Sequence, residues 1–319
     1  MTDWVIYPEK YGAKGNGVKD DLAALDRAVV ECRKLVAAGE GGEIHLRPGA
    51  IYGVSGPWNA IKDSYMDIQG HKARIKALSS FSAASHEAVL QLDHSTSGTL
   101  NKISIEDVIV DIAGKSAHGI GNNWSSGTTD NILKKSSLLR NIEVRNNVAG
   151  KHGFFIRNPE NSIKIENPTM DGFSSTSGNP SAAIYIEDRG SGANHGNIYI
   201  KSPFVATNQG ESGDFTENGR AIWINGNGER INRVYVGGPG CHLFNYNKAA
   251  GARLSINNYA IFISANHAQG QEEQRTFILD HINAEDWREA LHLEHQGGGS
   301  TGIHNVKVDH FSVEYKNPA

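Results

Sequence analysis

The stretch Tyr11–Ser55, YGAKGNGVKDDLAALDRAVVECRKLVAAGEGGEIHLRPGAIYGVS, decides the fold. It reads as a Gly-rich turn, one amphipathic helix from Asp20 to Ala38, and a strand interrupted by a turn at Pro48-Gly49. The apolar positions Leu22, Leu25, Val29, Cys32 and Val36 recur at three- and four-residue steps and make one stripe. Asp20 and Asp21 are expected in the first turn, where the helix dipole favours negative charge. Gly39, Gly41 and Gly42 are expected to end the helix, since glycine takes a left-handed cap without strain. After Ile44 the pattern changes to short alternating strands with many glycines and asparagines, and no second helix of this quality follows. A single helix ahead of a run of β-rungs suits a solenoid, whose first rung exposes a core end that a cap must cover.

Composition narrows the classes. Of 319 residues, 38% are hydrophobic and 21% charged, as in a globular chain, and the 36 glycines suit many tight turns. A formal charge of −4 leaves no nucleic-acid footprint, but local basic residues can still serve one groove for an anionic sugar polymer. Cys32 falls on the helix stripe and Cys241 lies far away in sequence, so Cys32 reads as a small buried hydrophobe, and neither a disulfide framework nor a thiolate metal site is expected. No apolar run approaches a membrane span. Met1-Thr2-Asp3 leads straight into a folded-looking segment, so no signal peptide is read. The chain is expected to be cytoplasmic, carried on a virion, exported by another route, or trimmed.

Taken in order, residues 1–56 read as the cap and first strand, and 57–319 as rungs of the same single domain. MDIQG (66–70), ARIKAL (73–78), VLQLD (89–93) and ISIEDVIVDIAG (103–114) all alternate apolar and polar residues, the period of a half-buried strand. From residue 116 two strand types recur. One is apolar-x-apolar: Ile142-Glu143-Val144, Ile163-Lys164-Ile165, Ile198-Tyr199-Ile200, Val234-Tyr235-Val236 and Val306-Lys307-Val308. The other opens on a small residue: Gly153-Phe154-Phe155-Ile156, Ala183-Ile184-Tyr185-Ile186, Ala221-Ile222-Trp223-Ile224, Ala260-Ile261-Phe262-Ile263 and Ala290-Leu291-His292-Leu293. Long loops must leave the stack between them; 173–182, 189–197, 205–219 and 296–302 are the candidates.

YGAKGNGVKDD, then an amphipathic helix, then GGEIHLRPGAIYGVSG (41–56), resembles the N-terminal signature of the pectate-lyase-like superfamily. The resemblance implies an all-β, right-handed parallel β-helix with one N-terminal capping α-helix. Its members include pectin-active lyases and hydrolases, sugar epimerases and phage tailspike depolymerases. The motif is specific for the fold and weak for the reaction, because one fold hosts many chemistries.

The second strand type carries the site. Alternation points Phe155, Tyr185, Trp223, Phe262 and His292 outward as one column of rings. The next outward column is Arg157, Glu187, Asn225, Ser264 and Glu294; the small column Gly153, Ala183, Ala221, Ala260 and Ala290 is expected to leave room for a ligand. Rings stack on the C–H faces of sugars, so Phe155, Arg157, Trp223, Asn225, Phe262 and His292 are the expected contacts of a polysaccharide or oligosaccharide. An oligomer interface or a loop folded over the sheet would also cover such a column. Trimerisation through one sheet is common in the tailspikes this chain resembles, so a homotrimer would compete for that face.

Two chemistries suit the outward column. A glycosidase needs two carboxyl groups, which Glu187, Asp188 and Glu294 supply, with Asp214 and Glu217 in a nearby loop. Two rungs of about 4.8 Å would set Glu187 and Glu294 roughly 9 to 10 Å apart, at or just past the inverting range. A lyase needs a base and a cation beside the uronate, for which Tyr185, His152, Arg157, Arg220 and His292 are placed. KHGFFI (151–156) and AHGIGN (117–122) are similar in placement to the Gly-His-Gly motifs of polygalacturonases, but the rest of that pattern is absent. Lyases of the superfamily often use Ca2+, for which Asp107, Asp111, Asp171, Glu187 and Asp188 offer oxygens, yet no compact calcium loop is present and no residue is assigned to a metal. The Asp107, Asp111 and Asp171 positions equally suit turn capping. The leading expectation is a polysaccharide hydrolase or lyase, the alternative a non-catalytic carbohydrate-binding or tailspike component, and a uronate epimerase comes last. The last rung and short tail, 302–319, have no helix to cap them, so a covering loop, a partner chain or further sequence is expected there.

Overall fold

A computed structural model describes residues 4–38, 42–62, 66–93, 103–122, 137–157, 162–173, 179–188, 196–207, 219–226, 231–245, 258–265, 276–285, 287–295 and 306–314. It is a right-handed parallel β-helix with one α-helix, α1 (Leu22–Ala37). Each rung lays down three strands. The first two share one 15-stranded sheet and meet at a corner; the third belongs to a separate 8-stranded sheet. In some rungs the first two strands run on as one, as in Met66–Ala77, Ile103–Asp111, Ile231–Phe244, Thr276–Glu285 and Val306–Glu314. In others they separate, as Ser137–Arg140 and Glu143–Arg145, or Ile163–Glu166 and Thr169–Phe173.

Register explains the core. Ile105, Leu139, Ile165, Ile200, Val236 and Leu279 stack in the first face, each fully buried. Leu90, Ile120, Phe154, Ile184, Ile222 and Ile261 do the same in the third. The apolar-x-apolar strands belong to two columns rather than one. Ile163, Ile198, Val234 and Val306 stand in first-face strands, whereas Val144 pairs with Val110 and Met170 in the second face.

The corner between the first and second faces is made by single residues in left-handed backbone: Asp107 (φ 56), Asn141 (φ 53), Asn167 (φ 52), Ser202 (φ 52), His281 (φ 51) and His310 (φ 50). Short polar side chains tolerate this conformation because they bond locally. Asn141 Nδ2 donates to Asp107 Oδ1 at 3.0 Å and Asn167 Nδ2 to Asn141 Oδ1 at 2.9 Å, a ladder along the stack. At the next bend Asp111 Oδ1 accepts the Ala113 N–H at 2.9 Å and the Asn146 amide at 3.0 Å, so Asp111 caps its turn while Asp107 links its corner to the next rung.

The helix caps the first rung, burying Ala24, Leu25, Ala28, Val29 and Cys32. It starts two residues later than expected, because Asp20 ends the strand Asn16–Asp20 and binds the Ser55 hydroxyl at 2.6 Å. Asp21 instead accepts the Lys14 and Gly15 N–H groups at 2.6 and 3.0 Å, which fixes the Gly-rich turn. Residues 39–41 lie outside the described residues. Gly42 is needed for close approach: a Cβ there would stand 2.6 Å from Cys32 Sγ. Both cysteines are free and buried, and burial pushes each thiol up to about 12. Rungs begin before residue 57, since Glu43–His45 and Ile51–Val54 already pair with Met66–Ala77. At the far end Leu293, Val308 and Val313 are exposed. The loop expected to cover them would fall in 296–305 or 315–319, outside the described residues. Among the described residues no helix is long and apolar enough to cross a membrane.

Candidate functional site

The third face departs from simple alternation at each strand entrance. Ala183, Ala221 and Ala260 point into the core, next to inward Ile184, Ile222 and Ile261. A Cβ on Gly153 would meet Met170 Sδ at 2.5 Å, which places that glycine inward too. The small column therefore fills the corner of the interior and leaves no space outside. The outward positions before the rings are taken by His118, His152, Ala182, Arg220, Tyr259 and Glu289.

Two of these residues bond to the backbone of the next rung. His118 Nδ1 accepts the His152 N–H at 2.9 Å, and His152 Nδ1 accepts the Ala182 N–H at 2.9 Å. Each ring thus spends a lone pair on the backbone of the next rung and carries its proton on Nε2. Burial, with Arg220 and other cations near, lowers His152 to about 3; burial and His152 lower His118 well below the usual histidine range. A base role for His152 is not supported by this geometry, because its only basic nitrogen is occupied.

The rings form one continuous ladder. His118 stacks on Phe155 (4.2 Å between centroids), His152 tilts against Tyr185 (4.5 Å), and Tyr185 meets Trp223 (4.5 Å). The Arg220 guanidinium lies 4.0 Å from the Trp223 ring and 4.6 Å from that of Phe262. Phe262 then stacks on His292 at 4.9 Å, and His292 Nδ1 pairs with Glu289 at 2.7 Å. Phe155, Tyr185 and Phe262 are 4%, 6% and 4% exposed, so their faces are covered; Trp223, Arg220 and His292 are partly open.

Beside the ladder, two residues further along each strand, lies a polar chain. Glu187, 1% exposed, is ion-paired with Arg157 and accepts the Tyr185 hydroxyl at 3.0 Å. Asn225 Nδ2 donates to Tyr185 Oη at 3.1 Å, and Ser264 Oγ donates to Asn225 Oδ1 at 3.5 Å. The structure thus brings Arg157, Glu187, Tyr185 and Asn225 together as a buried network. It separates Glu294 from them: Asn225 and Ser264 both intervene, so Glu187 and Glu294 are three strands apart, not two. That is about 14 Å, beyond the carboxyl spacing of either glycosidase class. The Asp188 side chain, Asp214 and Glu217 lie outside the described residues. Of the acids offered for Ca2+, the three with described side chains do not converge: Asp107 stands at the corner before the second face, Asp111 caps the bend after it, and Glu187 lies on the other sheet; the Asp171 and Asp188 side chains lie outside the described residues.

An open concavity lies on the first face instead. A cleft of about 730 Å³ is lined by Ser137, Leu138, Arg140, Ser162, Lys164, Glu166, Tyr199, Lys201 and Tyr235. Lys164, Tyr199 and Tyr235 stand in one outward column, and Arg140, Glu166 and Lys201 in the next. Arg140 bridges Glu166 at 3.0 Å and Glu106 at 3.3 Å, while Lys164 and Lys201 are exposed. The floor therefore has two partly open phenol rings and a local excess of cations, on a chain whose formal charge is −4. The volume falls in the range of about 300–1,000 Å³ usual for ligand sites. Reading the middle residues of Ile-x-Ile strands as outward, as for the third face, would have found Lys164, Tyr199 and Tyr235.

No family model matches the chain, and no curated protein matches it by sequence. By structure the chain is similar to ORF18 of Geobacillus virus E2, with 15% identity and a TM-score of 0.52; the match covers 98% of this chain and 62% of that one. It also resembles the A-module of Azotobacter vinelandii mannuronan C-5 epimerase AlgE6, at 14% identity over 97% of this chain and 99% of that one, with a TM-score of 0.36. A third is the endo-xylogalacturonan hydrolase of Aspergillus tubingensis, at 14% identity over 98% and 93% of the two chains, with a TM-score of 0.29. The chain spans less than two thirds of the viral protein, and likeness at this identity concerns the fold alone.

Proposed function

We propose that the protein is a carbohydrate-binding β-helix that holds an acidic polysaccharide on its first face without cleaving it. The single observation that carries this reading is the Tyr199–Tyr235 pair, partly open in a cleft flanked by Lys164, Lys201 and Arg140. Phenol rings one strand apart, about 4.8 Å, offer successive stacking surfaces to a chain lying along the stack. The cations meet carboxylate or sulfate groups on the sugars, and the half-buried Ser162 is at hand for hydroxyls. The third face supports a structural role better than a catalytic one. Its Glu187 carboxylate is buried and ion-paired, the Nδ1 lone pairs of His118 and His152 are engaged, and Glu294 is three strands away from Glu187.

The test is incubation with uronic-acid and neutral polysaccharides, following retention on the polymer, new reducing ends, and absorbance of unsaturated ends. Retention by the acidic polymers alone, with neither kind of new end, is expected. New ends of either kind would return the third face to a catalytic role. Failure to bind any acidic polymer would remove the proposal.

A further inference from the structure

The corner ladder changes chemistry in its last two rungs. Sequence places the same dyad there twice, Asp280-His281 and Asp309-His310, and Asp280 and Asp309 are paired in register. His281 and His310 each occupy the left-handed corner, φ 51 and 50, where earlier rungs use Asp107, Asn141, Asn167 and Ser202. Their rings stack at 4.3 Å. Asp280 Oδ1 lies 2.6 Å from His281 Nδ1 and 3.6 Å from His310 Nδ1, and Asp309 Oδ1 is 3.1 Å from His310 Nδ1. One ligand atom from each of Asp280, His281 and His310 falls within 4.8 Å of the others.

We propose that Asp280, His281 and His310 bind a divalent transition-metal ion of the zinc class, joining the last two rungs. Two imidazoles and a carboxylate suit such an ion, whereas Ca2+ and Mg2+ prefer oxygen alone. Tetrahedral ligands at about 2.0–2.1 Å from zinc stand roughly 3.3–3.4 Å apart, close to the observed Asp280–His310 separation. The Asp280–His281 and Asp309–His310 pairs, at 2.6 and 3.1 Å, must open to admit the ion; both histidines are exposed, and Asp280 is half-buried. Asp309 or water completes the shell. The Tyr235 hydroxyl donates to Asp280 Oδ2 at 3.4 Å, orienting the carboxylate from the opposite side. This site is separate from the glycan cleft except for Tyr235, and the proposal does not depend on glycan binding.

The experiment is calorimetric titration of the untagged protein with ZnCl2, alongside His281→Asn and His310→Asn. Asparagine accepts the left-handed corner, so these variants keep the turn, and circular dichroism checks that they fold. One saturable site is expected, weakened at least about tenfold in each variant. The melting temperature should rise with zinc in the parent and not in the variants. Co2+ in place of zinc should give the visible absorption of a low-symmetry site. No saturable binding below about 100 µM, equal binding by parent and variants, or preference for Ca2+ would overturn the assignment.

Discussion

At the scale of single residues, Glu187 and Arg157 show how positions read in sequence as site residues form a mostly buried ion pair. Both stand in the outward column, yet Glu187 is buried beside Tyr185 and paired with Arg157. Removing one partner of a buried pair leaves the other charge uncompensated, which costs about 3–5 kcal/mol. Glu187→Ala should therefore lower unfolding free energy by roughly 3 kcal/mol in denaturant titration, and Arg157→Met with Glu187→Met should recover most of it. A loss below about 1 kcal/mol for Glu187→Ala would contradict this account. The histidines give a second residue-scale prediction. His152 is lowered to about 3 by burial and neighbouring cations, while a histidine in the unfolded chain titrates near 6.5. Between those values the unfolded chain binds more protons, so the stability due to this group is complete above about pH 6.5 and is lost as pH falls toward 3. Comparing denaturant midpoints at pH 7 and pH 5, the parent should lose more stability than His152→Asn. Equal losses would show that His152 does not titrate on unfolding.

At the scale of elements, the corner decides what is legible. Inside a strand the period of two holds, so Phe154/Ile156 and Ile222/Ile224 are core and Tyr185 and Trp223 are outward, as the sequence implies. At the strand entrance two successive residues point inward, Ala183 with Ile184 and Ala221 with Ile222. Alternation breaks there without any mark in composition, which is why the small column reads as outward room and the outward His118, His152, Arg220 and Tyr259 do not read as one column. The same limit applies to α1, whose stripe is plain but whose start depends on Asp20 closing onto Ser55, 35 residues away. Gly237 tests the corner directly. It sits at φ 141, and a Cβ would meet the Asp280 carbonyl oxygen at 1.6 Å, whereas Gly240 (φ 79) has open space around it. Gly237→Ala should cost about 3 kcal/mol or more, and Gly240→Ala only about 1–2 kcal/mol. Thermal melts of the two variants check this, and similar melting temperatures would contradict the register given for that turn.

At the scale of the molecule, the fold was readable because a solenoid repeats one local rule many times, and the helix with its flanking turn appears once, where a cap is needed. The site was less readable because function depends on which of three outward faces stays open. Sequence gives the outward residues of each face but not what covers them. Phe155 and Phe262 are outward yet covered, while Tyr199 and Tyr235, in equally regular strands, line a cleft. The most direct test of the central claim is a calorimetric titration of an acidic oligosaccharide into the parent, Tyr199→Ala/Tyr235→Ala and Trp223→Ala. Losing two stacking contacts, each about 0.5–1.5 kcal/mol, should weaken binding by roughly 5- to 150-fold in the tyrosine variant and leave Trp223→Ala near the parent. The reverse order, with Trp223→Ala weakened and the tyrosine variant unchanged, would place the sugar on the third face and contradict the account.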